Sequence, residues 1–317
     1  LGCRRAAYLG VSLRQEMADR PSRACDNALM PDDLVMRLSS CAQLDLVPGS
    51  VVQIGPASCR ALAAGRPVVV RLARSGDPRH DQFLRTILNR FRRRDGLLQR
   101  LLATAMCGED TVAVFEWLDG DTARDAGHHL LPDFFDSLAA WHVQNRCDGR
   151  VYSPYTGREY PDLEAFVDDE TRHHLTILGR PGLADRCLSM LRPIAAGFTT
   201  VLHGDVHPGN TLRTEAGMFR LLDPEHVHVG GNFLDLDYID WLALEPSPVP
   251  WWVIADYART VAGAYSRALG VQETELDQTM TSVALLTALR SHTNAHNYSP
   301  DRMEETMVGI ENILRKE

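Results

Sequence analysis

A carboxylate, an amide and two imidazoles fall close together in the stretch Leu202-His203-Gly204-Asp205-Val206-His207-Pro208-Gly209-Asn210, followed after a short gap by two more carboxylates in Leu221-Leu222-Asp223-Pro224-Glu225. Side chains of these types at this density can handle a proton and hold a metal, work that filling a core does not require. The spacing supplies geometry. Asn210 to Thr214 and Met218 to Leu222 are short extended runs with apolar positions, and Glu215-Ala216-Gly217 between them is a three-residue turn ending in glycine, as a β-hairpin needs. Pairing the arms sets Thr214 opposite Met218, Leu212 opposite Arg220 and Asn210 opposite Leu222, so Asn210 and Asp223 emerge side by side at the open end. An amide oxygen and a carboxylate there suit a hard cation such as Mg²⁺, which takes few protein ligands and leaves positions for phosphate oxygens. Asp205 lies upstream in a loop that Pro208-Gly209 keeps from continuing as strand or helix. A carboxylate so placed can orient a hydroxyl and accept its proton.

His203-x-Asp205, with Asn210 five residues on and then Asp223, resembles the catalytic and metal-binding segments of the aminoglycoside phosphotransferase and choline kinase family, whose fold is like that of protein kinases. The resemblance implies an α+β, two-lobed fold. A small β-rich lobe would occupy residues 1–118, with a helical extension over 1–45, and a larger, mainly helical lobe residues 119–317. It also implies roles. Asp205 would be the base, with His203 bracing its loop; Asn210 and Asp223 would hold Mg²⁺. Arg71, Gly55, Ser58, Glu116 and Leu118 would contact the nucleotide. Asp235 would brace the catalytic loop from a following segment.

Two other readings of the same residues stand beside this one. Alternating His203, Asp205 and His207, with His226 and His228, could form a zinc or iron hydrolase site on strands, although Pro208-Gly209 interrupts the strand and Asn210 is left idle. A kinase-like protein that binds without catalysing is the other, because the nucleotide-clamping half departs from the family pattern. Arg71 stands where the family has lysine. No glutamate occurs from Arg60 to Gly108, although the family places one near Thr86 to pair with that lysine.

The elements that must position these groups are legible in outline. Val51-Val52-Gln53-Ile54 and Pro67-Val68-Val69-Val70-Arg71-Leu72 read as strands joined through a loop spanning Gly55 to Arg60, and period-two counting sets Arg71 and Val69 on one face with Val68, Val70 and Leu72 on the other. Residues 81–94 carry apolar positions at helical spacing, and Thr111 to Phe115 reads as a strand leading into Glu116-Trp117-Leu118-Asp119-Gly120, which resembles the segment joining the two lobes. Pro132-Asp133 opens a helix with Phe134, Phe135, Leu138, Trp141 and His142 at core spacing. From Val151 to about Arg192 an acidic, tyrosine-bearing segment offers Asp162 and Asp169 as acceptor contacts, and Glu225 and Trp251 are further candidates. The last third carries helical core stripes, among them Val283, Leu286 and Leu289.

Composition is that of an ordinary globular chain, 317 residues with 44% hydrophobic and 24% charged. No apolar run approaches the about 18 residues of a membrane span, and no signal peptide is visible. Seven scattered cysteines without a C-x-x-C suit reduced thiols and a cytoplasmic location. The net charge of −9 disfavours nucleic acid as a partner and suits a cationic substrate. The expected partners are therefore a nucleoside triphosphate, ATP or GTP, and a small hydroxyl-bearing acceptor, for a chain that is a monomer or a homodimer. Antibiotic modification, in resistance or self-protection, is the first choice of acceptor chemistry that the resemblance implies.

Overall fold

The valine-rich runs and their neighbours build a five-stranded antiparallel sheet in the computed structural model of the chain, which describes residues 31–40, 44–47, 49–55, 58–73, 96–107, 110–123, 130–153, 157–207, 209–236 and 263–271 together with scattered positions over 278–289 and 307–314. The strands are β1 (Val52–Gly55), β2 (Ser58–Ala63), β3 (Arg66–Ala73), β4 (Leu101–Cys107) and β5 (Asp110–Glu116), in the order β1-β2-β3-β5-β4. Val68, Val70 and Leu72 are buried on one face with Cys59, Ala61, Val112 and Val114, and Leu38 of helix α1 (Pro31–Ser39) joins that cluster. β-branched residues alternating along β3 produce this face, and burying them is what fixes the strand's register. The opposite face carries Val69 and Phe115, which belong to a second and larger core. The loop expected to run through Arg60 is shorter than the sequence suggests. Ser58 already pairs with Gly55 and Arg71, so β2 extends the sheet where loop was expected. Strand β4 is likewise absent from the sequence reading.

Leaving the sheet at Glu116, the chain enters β6 (Gly120–Thr122), which pairs with β10 (Thr211–Thr214); β10 in turn pairs with β11 (Phe219–Leu221). The hairpin has the register expected from its spacing, with Leu212 opposite Arg220, Thr214 bonded to Met218 and the Leu222 amide bonded to the Asn210 carbonyl at 2.8 Å. Strand β9 (Thr199–Leu202) pairs antiparallel with β12 (His228–Gly231), and β7 (Val151–Ser153) with β8 (Arg158–Tyr160).

Helices α2 (Leu131–Gln144), α3 (Leu163–Ile177) and α4 (Ala184–Ala195) supply the larger core. Phe134, Phe135, Leu138 and Trp141 of α2 are buried at the expected helical spacing, against Phe166, Leu175, Leu191 and Ile194 of the other two. Val283, Leu286 and Leu289 from the C-terminal region complete it. Cys59 and Cys187 are buried free thiols, and burial pushes Cys187 up to about 11, as expected of small apolar residues rather than reactive groups. No helix among the described residues is long and apolar enough to cross a membrane. The expectations for residues 1–30, for the helix over 81–94 with Thr86, and for Trp251 lie outside the described residues.

Candidate functional site

Strand β9 delivers His203 and Gly204 to a buried carboxylate. Asp235 Oδ2 accepts the His203 amide at 2.8 Å and Oδ1 accepts the Gly204 amide at 2.8 Å, so one side chain fixes two consecutive peptide groups ahead of Asp205. Asp235 also takes a hydrogen bond from His142 Nε2 at 3.0 Å, and His142 Nδ1 lies 2.6 Å from the Tyr265 hydroxyl. Burial would raise the Asp235 carboxyl, but the His142 hydrogen bond and charge, together with His203 and the Gly204 amide, hold it below its usual range. A buried carboxylate kept ionised by several donors makes a rigid anchor for the loop. Gly204 must be glycine. Its φ is +81°, and a Cβ would fall 2.4 Å from the His226 carbonyl oxygen.

Within the loop, His203 is fully buried and its two ring nitrogens have assigned partners. Nδ1 accepts the Asp205 amide at 3.2 Å, so Nε2 carries the proton and donates to the Leu222 carbonyl at 2.7 Å. A second proton would set an N–H against the Asp205 N–H. Burial accordingly lowers His203 despite the nearby Asp235 and Asp205 carboxylates. His207 is arranged similarly: Nδ1 accepts the Gly209 amide at 3.0 Å, and Nε2 lies 3.7 Å from Asp205 Oδ2. These bonds spread the histidines along the loop. Among the described residues no group of three His, Cys, Asp or Glu could hold a metal, as the zinc or iron reading would need.

Asn210 and Asp205 meet directly. Asn210 Nδ2 donates to the Asp205 carbonyl at 3.0 Å and to Asp205 Oδ2 at 2.9 Å. Asn210 thus engages Oδ2 and leaves the other carboxylate oxygen, Asp205 Oδ1, clear of that bond. Pinning the Asn210 amide nitrogen on Asp205 turns its amide oxygen the other way, and the 2.8 Å backbone bond from Leu222 to Asn210 holds Asp223 next along the chain. An amide oxygen and a carboxylate are the hard donors that Mg²⁺ takes, so the residues fit that ion. Asp223 sits at φ 62°, a left-handed backbone rare outside glycine, asparagine and aspartate, and its carboxylate is bonded to the Arg71 guanidinium. Arg71 thus reaches the metal candidate from the sheet face opposite Val68, Val70 and Leu72, where period-two counting sets it.

The same face of the sheet forms a roof. Val52 opposes Arg60 and Arg60 opposes Val69, so these side chains share the face of Phe115. Val52 and Ile54 are exposed large apolar residues. Ser58 pairs with Arg71, and Gly55 with Ser58, which brings both to the Arg71 end. At the other end the Arg60 guanidinium stacks 4.6 Å from the centre of the Trp117 indole, whose Nε1 donates to Asp119. Glu116 Oε1 accepts the Arg100 amide, and Leu118 is half-buried just beyond. The stacked Trp117 ring is a contact not legible in the sequence, where an arginine and a tryptophan on converging elements are its only trace.

Acceptor candidates are more dispersed. Asp162 caps α3 by accepting the Ala165 amide, and Asp169 accepts the Tyr160 hydroxyl at 2.6 Å and Arg158 at 3.2 Å, so both are engaged in holding the β7–β8 hairpin and α3 in place. Glu225 lies in a 3-10 turn (Pro224–His226) immediately after Asp223. Missed altogether is a buried group made of Ser153, Glu170 and His174, in which Glu170 accepts from Ser153 and lies 3.3 Å from His174 Nε2. The sequence shows Glu170 and His174 only as members of an acidic helix and gives Ser153, at the end of β7, no mark.

Residues 57–280 match the family model described as Phosphotransferase enzyme family. No curated protein matches the chain. Among solved structures, a thermostable mutant of aminoglycoside phosphotransferase APH(4)-Ia in ternary complex with ADP and hygromycin B aligns with a TM-score of 0.55 at 17% identity, covering 86% of this chain and 93% of that one. Macrolide 2'-phosphotransferase MphH from Brachybacterium faecium aligns at 0.56 and 18%, covering 88% and 98%. A putative fructosamine-3-kinase from Haemophilus somnus 129PT aligns at 0.54 and 13%, covering 89% and 96%. The fold is therefore the α+β, two-lobed, kinase-like one that the resemblance implies.

Proposed function

Since the chain belongs to the phosphotransferase enzyme family, we propose that it transfers the γ-phosphoryl group of ATP or GTP to a hydroxyl of a small molecule. An antibiotic, an aminoglycoside or another natural product, is the acceptor class that best fits the acidic chain and its structural likeness to aminoglycoside and macrolide phosphotransferases. The ternary complex of the APH(4)-Ia mutant with ADP and hygromycin B supports a nucleotide and a small molecule as the two ligands. The observation that carries the reading is the Asp205–Asn210 hydrogen bond, which couples a candidate base to a candidate metal ligand within one loop.

In this reading Asp205 Oδ1 accepts the acceptor's proton and orients its oxygen. Asn210 and Asp223 hold Mg²⁺, which when bound neutralises charge on the transferring phosphate. Arg71 exchanges Asp223 for the nucleotide phosphates, while Gly55 and Ser58 border them. The Glu116–Leu118 backbone receives the base beneath Val52, Arg60 and Val69. His203, held neutral, donates to the Leu222 carbonyl and so ties the base loop to the metal loop. Glu225, Asp162, Asp169 and Trp251 are the proposed acceptor contacts, and the lobes divide near residue 118.

Asp205→Asn tests this, being isosteric and unable to take up a proton. A loss of about 10²-fold or more in kcat is expected, with the melting temperature little changed. Retained activity would reject Asp205 as base. A second reading, a kinase-like protein of weak or no catalysis, draws on one observation: Arg71 stands where the family has lysine and is bound to Asp223. Arginine's planar fork differs in reach from an ammonium. Absence of nucleoside diphosphate release across a panel of hydroxyl-bearing acceptors, with no Mg²⁺·nucleotide rise in melting temperature, would favour it.

A further inference from the structure

Gln99 stands just ahead of β4, 7% exposed, in the run Leu97-Leu98-Gln99-Arg100-Leu101, which gives it no distinction in the sequence. Its backbone amide donates to the Leu221 carbonyl at 2.8 Å, and the Leu221 amide donates to the Leu97 carbonyl at 2.7 Å. Residues 97–99 therefore run beside the end of β11, and the Gln99 side chain stands where the chain turns out of β11 towards Asp223. Its Nε2 donates to the Glu116 carbonyl at 2.8 Å, and its Oε1 accepts the Asp223 amide at 3.4 Å. The partners fix which end of the amide is which. A carbonyl can only accept and a peptide N–H only donate, so the reversed amide would lose both bonds.

Burying a glutamine costs desolvation and rotamer freedom that a leucine of similar size would avoid. What the amide adds here is a fixed span between two backbone groups. One ends the sheet strand that leads into the 117–119 connection. The other belongs to Asp223, whose left-handed backbone takes its amide out of any strand ladder. We propose that Gln99 is a positioning residue that sets the aim of the Asp223 carboxylate and ties it to the nucleotide edge at Glu116. This rests on reading Asp223 as a cation ligand and Glu116 as part of the base seat. Nucleotide and cation then bind cooperatively through one side chain, each favouring the arrangement the other needs.

The test compares wild type with Gln99→Met, which keeps the bulk and loses both hydrogen bonds, and Gln99→Glu, which keeps an acceptor for Asp223 and sets oxygen against the Glu116 carbonyl. In nucleotide-free protein, hydrogen exchange at the Asp223 amide should quicken in Gln99→Met and stay slow in Gln99→Glu. In calorimetry with a non-hydrolysable ATP or GTP analogue, the Mg²⁺ concentration for half-saturation should rise about tenfold or more in Gln99→Met, the scale seen when residues behind metal ligands are removed. Unchanged exchange together with an unchanged Mg²⁺ requirement overturns the proposal, as does a fall in melting temperature alone, the mark of a packing role. If Gln99→Met does not fold, Gln99→Glu still decides through its Mg²⁺ requirement, which should rise because the Glu116 end is broken. Asp223→Asn, which tolerates the left-handed backbone, separates this from the metal reading. If that variant keeps the wild-type Mg²⁺ requirement, the metal reading fails, and the Gln99 exchange result stands or falls independently.

Discussion

His203 and Asp235 are both fully buried, and both take up protons at lower pH than they would in water, the first because burial penalises the imidazolium and the second because His142 and the loop amides hold the carboxylate. The two act in the same direction. Below about 6.5 the unfolded chain protonates its His203 while the folded protein resists, so unfolding binds a proton and stability falls as pH drops. Below about 3.8 Asp235 repeats this, its contribution being present above that value and lost on further acidification. Each group can supply at most about 1.4 kcal/mol per pH unit. Urea unfolding at pH 7.5, 6.5, 5.5 and 5 should therefore give a wild-type stability that declines below 6.5 and a His203→Asn protein that declines less steeply. Equal slopes would mean that His203 is free to charge. The sequence makes His203 and Asp205 stand out by type and spacing. It could not reveal the Asp235–His142–Tyr265 chain, because His142 reads as one more position of a helical stripe and Tyr265 as one more aromatic.

At the scale of elements, two glycines with positive φ show how differently the same substitution acts. Gly217 (φ +78°) closes the β10–β11 hairpin with open space around the place a Cβ would take, whereas Gly120 (φ +153°) has the Arg213 carbonyl oxygen 2.2 Å from it. Gly217→Ala should cost only the backbone strain, about 1 kcal/mol, and leave activity intact. Gly120→Ala must push β6 from β10 directly beyond the 117–119 connection, so it should lower stability by more than about 3 kcal/mol and raise the nucleotide KM. Chemical denaturation and steady-state kinetics on both variants check this, and equal effects would deny β6–β10 contact a role in the hinge. The hairpin was legible because a three-residue turn and period-two pattern leave one register. Strand β4 was not, since Leu-Leu-Ala-Thr-Ala-Met-Cys has little β-branched content and is made a strand by the β5 residues paired to it. The β2 strand hides for the same reason, its buried positions being the small Cys59 and Ala61.

For the whole molecule, the two cores are unequal and interlocked. The smaller lies between the sheet and α1, but Leu97, Leu98, Leu101, Ala113 and Phe115, which precede the proposed lobe division, belong to the larger core with Phe134, Leu202 and Leu221. Loss of the lower helices would strip apolar cover from the sheet's inner face, so the lobes have little independent stability. Thermal unfolding followed by far-UV circular dichroism and by tryptophan fluorescence should trace a single coincident transition. Mg²⁺·nucleotide, in the seat proposed for it where the sheet's inner face meets the Asp205–Asp223 loops, would raise that transition as a whole. At a hundred times its dissociation constant a ligand adds about 2.7 kcal/mol. With an unfolding entropy of about 2.1 cal/mol/K per residue, that is a rise of about 4 °C for a chain of this length. Two separated transitions, with only the first moved by nucleotide, would show instead that the sheet unfolds alone and that the shared core does not couple the lobes.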